Sequence, residues 1–167
     1  MSDNPHVLMG PIAAGGRGRD GVYKFYRDLF LAQVPADIRP VLISQVIGKD
    51  ILAEEAVYQF THDRIVDWLI PGILPTGKRV EVGVVALIKF EKGKIATEHV
   101  HWDHSSVLAQ LGVIDRAKGV VKGVESPRTL LEWAGIKPAH THNNLDKNST
   151  FKRARLTPIS RSIEHAK

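Results

Sequence analysis

The sequence predicts an α+β fold in which a helix precedes an antiparallel sheet and short helices follow it. Apolar residues recur at helical spacing behind Asp20 in DGVYKFYRDLFLA, which predicts an amphipathic helix over residues 20–32. Beyond Pro40 the pattern changes to β-type segments, VLISQVIG, ILAEEAVYQFTH and KRVEVGVVALIKFEKGKIATEHVHWD. The last elements are two short helices, SSVLAQLGVI, capped by Ser105 and ended by Gly112, and SPRTLLEWAG, with Pro127 near its first turn.

The third β-type segment contains a hairpin. Val80 to Phe90 and Lys94 to Trp102 flank EKGK, whose glycine favours a short turn between antiparallel strands. Before this hairpin lies DWLIPGILPTGK, whose two prolines and two glycines exclude regular structure. We therefore expect a long, shaped connection between the second and third β-type segments.

Length and charge predict one domain and one tail. A chain of 167 residues that is 43% hydrophobic can bury one core. We expect a single domain over residues 1–137 and a basic, disordered tail over residues 138–167, because that tail is polar and without sustained period. The tail holds six basic and two acidic residues and so accounts for most of the net charge of +5. Nucleic acid is therefore not the expected partner.

Composition also restricts the chemistry and the location. The chain has no cysteine, which excludes disulfides, thiolate metal sites and a cysteine nucleophile. The first ten residues lack a basic segment followed by a long apolar run, and the most apolar stretch, VGVVALI, is far shorter than the roughly 20 residues that cross a bilayer. We expect a cytoplasmic protein with no membrane partner.

The stretch TEHVHWDHSS is the richest in residues that can carry chemistry. On a strand, side chains alternate between faces, so Thr97, His99, His101 and Asp103 lie on one face. The opposite face carries Glu98, Val100 and Trp102. Burying a polar row is costly unless its groups find partners or a solvated cavity, so the row is a candidate site.

Three interpretations of this row remain open. His-x-His is a familiar spacing for zinc or iron, and Gly93, His99, His101 and Gly112 fit a first cupin motif, although serine replaces its glutamate and no second histidine motif follows. We therefore predict no tightly held transition metal at this row. Alternatively, a carboxylate and an imidazole facing one apolar pocket can act as an acid/base pair. The third interpretation is an inert, hydrogen-bonded strand end.

The segments FYRDLF, FTHDRIVDWLIPGILPTGKRVEV and GKIATEHVHWDHSSVLAQLGV resemble the SnoaL-like polyketide cyclases of the nuclear transport factor 2-like superfamily. The resemblance covers residues 15–124 and implies a conical barrel, in which a strongly curved antiparallel sheet wraps around helices and encloses an apolar pocket. It also implies shortened N-terminal helices, because residues 1–19 alone precede the first predicted helix.

The resemblance also implies a reaction. In these cyclases an aspartate near the end of the last strand is the general acid/base of an intramolecular aldol closure, without metal or cofactor. Asp103 matches it, and His99 or His101 is the expected partner. The implied function is a cofactor-independent acid/base enzyme that cyclises, isomerises or dehydrates a small hydrophobic carbonyl compound. A non-catalytic small-molecule-binding or dimerisation module, or a cupin-like metal enzyme, is the alternative.

Further residues are candidates for the ligand pocket. His62 and Trp68 bracket a strand end and the connection that approach the mouth of the cone, and Tyr58 lies on the face of His62 and offers a hydroxyl. We predict substrate contacts for these three residues, with core packing as the alternative. Glu54 and Glu55 fall on opposite faces, so one of them can point inward, with an edge or solvent role as the alternative.

The hairpin also predicts an assembly. In VEVGVVALIKF, Val85 and Leu87 alternate with Val84, Ala86 and Ile88, so both faces of the strand carry apolar groups. Relatives in the superfamily commonly pair sheet to sheet. We therefore expect a homodimer.

Overall fold

The computed structural model describes residues 1–119 and 121–137, so the predicted tail at 138–167 lies outside the described residues. The strands are β1 (His6–Met9), β2 (Ala14–Arg17), β3 (Arg39–Ile47), β4 (Ile51–Thr61), β5 (Arg79–Glu91) and β6 (Lys94–Trp102). The helices are α1 (Gly18–Lys24), a π-helical turn (Phe25–Phe30), α2 (Leu31–Gln33), α3 (His104–Leu111) and α4 (Ser126–Trp133), with 3-10 turns at Gly10–Ile12 and Arg116–Lys118.

The strands form one sheet in the order β2-β1-β6-β5-β4-β3. Strands β3 to β6 are antiparallel neighbours, as predicted. The β5–β6 hairpin turns at Lys92 and Gly93, both with positive φ (49° and 72°), which is the geometry that short hairpin turns require. Strand β1 pairs with β6 in parallel, so the sheet is mixed. The predicted α+β class is confirmed, with this one parallel pair added.

The N-terminal segment differs from the sequence expectation. No strand was predicted before the first helix, whereas residues 6–17 form the β1–β2 hairpin that extends the sheet. Its glycines have a packing role: a Cβ on Gly15 would lie 2.0 Å from the carbonyl oxygen of Val7, and one on Gly16 would lie 2.2 Å from that of Gly21. Only glycine allows these close backbone approaches.

Two helix starts also differ from prediction. The first helix begins at Gly18, so Asp20 lies in its first turn and is not the N-cap. Helix α3 begins at His104 and is capped by Asp103, not by Ser105. Local sequence places a cap within two or three residues, and the hydrogen bonds of the folded chain select the residue.

The sheet separates an inner and an outer face. On the inner face, Phe60, Val82 and Val84 pack in one core with the first helix, the 62–78 connection and α3. On the outer face, α4 crosses β5 at Gly83, where an added Cβ would touch Leu130 at 3.4 Å. The predicted irregular connection is confirmed, because residues 62–78 contain no helix or strand. None of the described helices combines the length and apolar character needed to cross a bilayer.

Candidate active site

The side chains of β6 alternate as the sequence predicts, but the polar row faces outward. Glu98 is 4% exposed on the inner face, and Val100 and Trp102 pack against the core beside it. His99 is half-buried and His101 is exposed on the outer face. The residue that enters the protein interior is therefore Glu98, not the histidines.

Glu98 lies in an apolar environment with one strong partner. Its neighbours across the sheet are Ile88 on β5 and Val7 on β1, both buried. The Tyr26 hydroxyl, from the π-helical turn, donates a hydrogen bond to Glu98 Oε2 at 2.5 Å. Burial raises the pKa of the Glu98 carboxyl, the Tyr26 hydrogen bond partly offsets that rise, and the charge of Glu54 adds to it.

Glu54 and Tyr58 extend this site along β4. Glu54 is buried and accepts a hydrogen bond from Gln45 Nε2 at 3.2 Å. Burial, together with the charges of Glu54 and Glu98, raises the pKa of Tyr58 to about 12. The pKa of Tyr26 is also raised, by burial first and then by Glu98, so both hydroxyls stay protonated at neutral pH. We call Glu98, Glu54, Tyr26 and Tyr58 the inner acid cluster.

The inner acid cluster combines the parts that proton transfer at carbon requires. A carboxyl group of raised pKa can take and return a proton near neutral pH. A protonated tyrosine can donate a hydrogen bond to an oxygen that gains negative charge. The π-helical turn that carries Tyr26 is a local widening of the helix, a feature often found at functional sites.

Sequence reasoning did not select Glu98 or Tyr26. The available signal for Glu98 was its position in the strand alternation, which puts it on the same face as Val100 and Trp102. A carboxylate on an apolar face is rarely buried unless it has a partner. Tyr26 gave no such signal, because its helical spacing matches an ordinary core residue. Glu54, one of the two neighbouring acids considered, is the one that points inward.

The predicted ligand-contact residues lie on the inner side and leave unpaired donors there. His62 is 0% exposed, and its Nδ1 accepts from the backbone N–H of Thr76 at 3.3 Å. Burial lowers the pKa of His62. Because Nδ1 accepts the Thr76 N–H, the neutral ring carries its proton on Nε2. Within the described chain, His62 Nε2, Trp68 Nε1 and Trp102 Nε1 are buried without a partner. A water or a ligand oxygen would satisfy them, and the substrate contacts of His62, Trp68 and Tyr58 stay a prediction.

Asp103 lies in a separate groove on the outer face. Its Oδ1 accepts the backbone N–H of Ser106 at 3.1 Å and so caps α3. Together with His101, Val85 and Leu130 it lines a cavity of about 320 Å³ between β5 and α4. The catalytic roles of Asp103, His99 and His101 stay a prediction. Asp103 and His101 line this groove, whereas His99 does not.

His99 has a different neighbour. Its Nε2 lies 3.1 Å from His6 Nε2 on β1. Burial lowers the pKa of His99, with smaller contributions in the same direction from His6, His101 and Lys89. Across the described ranges, no three His, Cys, Asp or Glu side chains are grouped so that they could hold a metal ion.

Replacing Asp103 by alanine should destabilise the protein by about 1 kcal/mol, because the first turn of α3 loses its side-chain cap. Asparagine keeps an oxygen acceptor at the same place, so Asp103→Asn should remain within about 0.5 kcal/mol of the wild type. Urea unfolding followed by circular dichroism measures both differences. Equal stability of the alanine variant and the wild type would contradict the capping role.

Comparisons with solved structures identify the fold. A "Putative SnoaL-like polyketide cyclase" from Jannaschia sp. CCS1 matches with a TM-score of 0.56 and 17% identity over 68% of this chain and 74% of that chain. AclR, "a putative hydroxylase" from Streptomyces galilaeus, matches with a TM-score of 0.51 and 19% identity over 68% and 78%. A "hypothetical protein with ketosteroid isomerase-like protein fold" from Catenulispora acidiphila DSM 44928 matches with a TM-score of 0.50 and 20% identity over 67% and 76%. No family model and no curated protein matches the sequence.

These matches define the class as an α+β fold with a curved, open sheet packed around helices. The chain shares the fold of these SnoaL-like and ketosteroid isomerase-like proteins, and the resemblance noted in the sequence is confirmed at the level of the fold. At identities of 17 to 20% the likeness establishes the fold and leaves the reaction to be argued from the site.

Proposed function

We propose that this protein is an acid/base enzyme that acts without a cofactor on a small hydrophobic carbonyl compound. The observation that carries the proposal is Glu98, a carboxyl group buried on the inner face and hydrogen-bonded to Tyr26. The "Putative SnoaL-like polyketide cyclase" from Jannaschia sp. CCS1 and the Catenulispora acidiphila protein with a "ketosteroid isomerase-like protein fold" share the fold, which supports cyclisation or isomerisation as the proposed reaction class. We also propose a cytoplasmic location, with which the cysteine-free composition is compatible.

The proposed chemistry starts with proton removal. The Glu98 carboxylate takes a proton from the carbon next to the substrate carbonyl, and the electron pair of that C–H bond moves to the carbonyl oxygen as an enolate. The Tyr58 hydroxyl donates a hydrogen bond to this oxygen. In an isomerisation, Glu98 returns the proton to another carbon. In an aldol closure, the enolate carbon attacks a second carbonyl of the same substrate, and the new alkoxide takes up the proton.

The inner face supports this chemistry in two ways. Burial raises the pKa of Glu98 above its ordinary value, which is the direction in which a carboxyl group becomes a better proton acceptor. The neighbours of Glu98 include the apolar side chains of Val7, Ile88 and Val100, an environment that would suit a hydrophobic substrate.

Hydrogen–deuterium exchange at carbon tests the proposal without a known substrate. A panel of small aromatic and aliphatic ketones and diketones is incubated with the protein in D₂O, and loss of the α-proton signals is followed by ¹H NMR. We expect the protein to accelerate exchange for at least one hydrophobic member above the buffer rate. Exchange at the buffer rate for every compound, including those shown to bind, would favour the non-catalytic binding module.

The outer groove is the second candidate site. It brings Asp103 and His101 together beside apolar side chains, which is the pairing that the sequence suggested. If catalysis occurs there, it depends on Asp103 and is indifferent to Glu98. The two sites lie on opposite faces of the sheet, so substitutions at one leave the other intact.

We propose in addition that the outer face pairs with a second copy of the chain. Val85 and Leu87 are 43% and 38% exposed there, although both belong to a central strand. Leu87→Lys should convert a dimer to a monomer in sedimentation velocity at micromolar concentration. Leu74→Lys is the matched control, because Leu74 is 74% exposed in the 62–78 connection. A monomeric wild type would contradict this proposal.

A further inference from the structure

Two histidines on the outer face lie close enough to share an ion. His6 on β1 and His99 on β6 project from neighbouring parallel strands, where His6 is opposite Thr97 and Leu8 is opposite His99. This diagonal placement brings the two Nε2 atoms to 3.1 Å. We propose that His6 and His99 form a binding site for a late first-row divalent cation, the class of Zn²⁺, Ni²⁺ and Cu²⁺.

The geometry fits two ligands of one ion. With metal–nitrogen bonds of about 2.0–2.1 Å, two imidazole nitrogens at a tetrahedral angle lie about 3.3 Å apart. The observed separation of 3.1 Å needs only a small change to reach this value, and the two ring planes are tilted by 41° to each other. At a separation of 3.1 Å the two Nε2 atoms cannot both carry a proton, so at least one of them presents its lone pair to the other.

A hydrated ion has a route to this pair. His6 and His99 are half-buried, and His6 also lines an open surface cavity of about 470 Å³ between β1 and β2. Since the described residues offer no group of three ligands, water or an exogenous donor would complete the coordination. The site is therefore exchangeable, and it lies on the face opposite Glu98, outside the proposed proton transfer.

Binding at this site would fasten the N-terminal strand. Strand β1 is four residues long and contacts β6 through one parallel pairing. An ion held by His6 and His99 adds a link between these two strands in the folded state only. Saturating ion should therefore raise the melting temperature, since a ligand that binds only the folded state stabilises it.

Isothermal titration of ZnCl₂ into chelator-treated protein without a polyhistidine tag tests the site. The protein carries His140→Gln, His142→Gln and His165→Gln throughout, so the tail histidines cannot contribute. We expect one Zn²⁺ per chain with micromolar affinity, and His6→Gln or His99→Gln should weaken binding by at least about tenfold. His101→Gln is the matched control on the same strand and face, and it should bind as the unsubstituted protein does. Mg²⁺ should not bind, because it prefers oxygen ligands.

NMR of the imidazole nitrogens provides a second measurement that does not depend on substitutions. Addition of Zn²⁺ should shift the Nε2 resonances of His6 and His99 together and leave that of His62 unchanged. The proposal is overturned by absent Zn²⁺ binding, by affinity that survives both substitutions, or by equal loss in His101→Gln.

Discussion

Replacing Glu98 by glutamine should lower turnover by roughly 10²–10⁴-fold, the usual contribution of a positioned acid/base group. Glutamine has nearly the same shape and keeps an oxygen that can accept the Tyr26 hydrogen bond, but it cannot accept and return a proton. Binding of the hydrophobic substrate should therefore change little, so the loss should appear in kcat and not in KM. The measurement is turnover, or the rate of α-proton exchange, for a compound that the ketone panel identifies.

Asp103→Asn is the matched control for this experiment. It removes a proton-transferring carboxyl from the outer groove and keeps the cap of α3, whose donor is the Ser106 backbone N–H. If the inner acid cluster is the active site, Asp103→Asn turns over normally while Glu98→Gln does not. The reverse result would move catalysis to the outer groove, with His101 or His99 as the partner of Asp103.

Tyr58→Phe separates the two roles within the inner acid cluster. If the Tyr58 hydroxyl stabilises the enolate oxygen, its removal should lower turnover by about 10–10³-fold while proton exchange still depends on Glu98. The affinity for the ketone should change less, because the hydrogen bond strengthens as charge develops. An unchanged rate would remove Tyr58 from the mechanism and leave Glu98 as the proposed base.

The second large effect concerns stability. Glu98→Gln should make the protein more stable than the wild type at neutral and alkaline pH. Burial raises the pKa of Glu98 in the folded state above its value in the unfolded chain. The contribution of Glu98 to the stability of the wild type is therefore fully present at pH values below its pKa in the unfolded chain. That contribution is lost as pH rises through the pKa of Glu98 in the folded protein. Glutamine does not ionise, so the variant avoids this loss.

Thermal unfolding from pH 4 to pH 9 measures this difference. The melting temperature of Glu98→Gln minus that of the wild type should increase with pH, by about 2–4 °C for each kcal/mol gained. Buffers contain EDTA, so an ion at the neighbouring His99 does not contribute. Glu91→Gln is the control, because Glu91 is exposed at the end of β5, and it should show no such trend. A difference that is constant with pH would mean that Glu98 is not the titrating group.

A carboxyl group that is costly to ionise in its folded environment is typical of a functional site. If both Glu98→Gln results are obtained together, the same substitution removes activity and adds stability. That combination distinguishes a catalytic carboxyl from a structural one, since loss of a structural partner lowers stability.

Local patterns in the sequence determined much of the fold. The spacing of apolar residues predicted the first helix, the alternation in VEVGVVALIKF and TEHVHWD predicted β5 and β6, and the glycine of EKGK predicted their turn. These features depend on neighbours a few residues apart, so the local sequence is sufficient to specify them. The strands β1 and β2 were missed because four-residue segments rich in glycine have no periodic signal, and β1 is held in the sheet by β6, about ninety residues later.

The sequence also determined that Glu98 and the histidines of β6 lie on opposite faces, because side chains alternate along any strand. It could not determine which face is inside. The tertiary structure decides this. The first helix covers one face, and its Tyr26 precedes Glu98 by 72 residues in the sequence. Helix α4 covers part of the other face. Burial by a distant element is what turns an ordinary glutamate into a candidate acid/base, and no local pattern records which element will cover it.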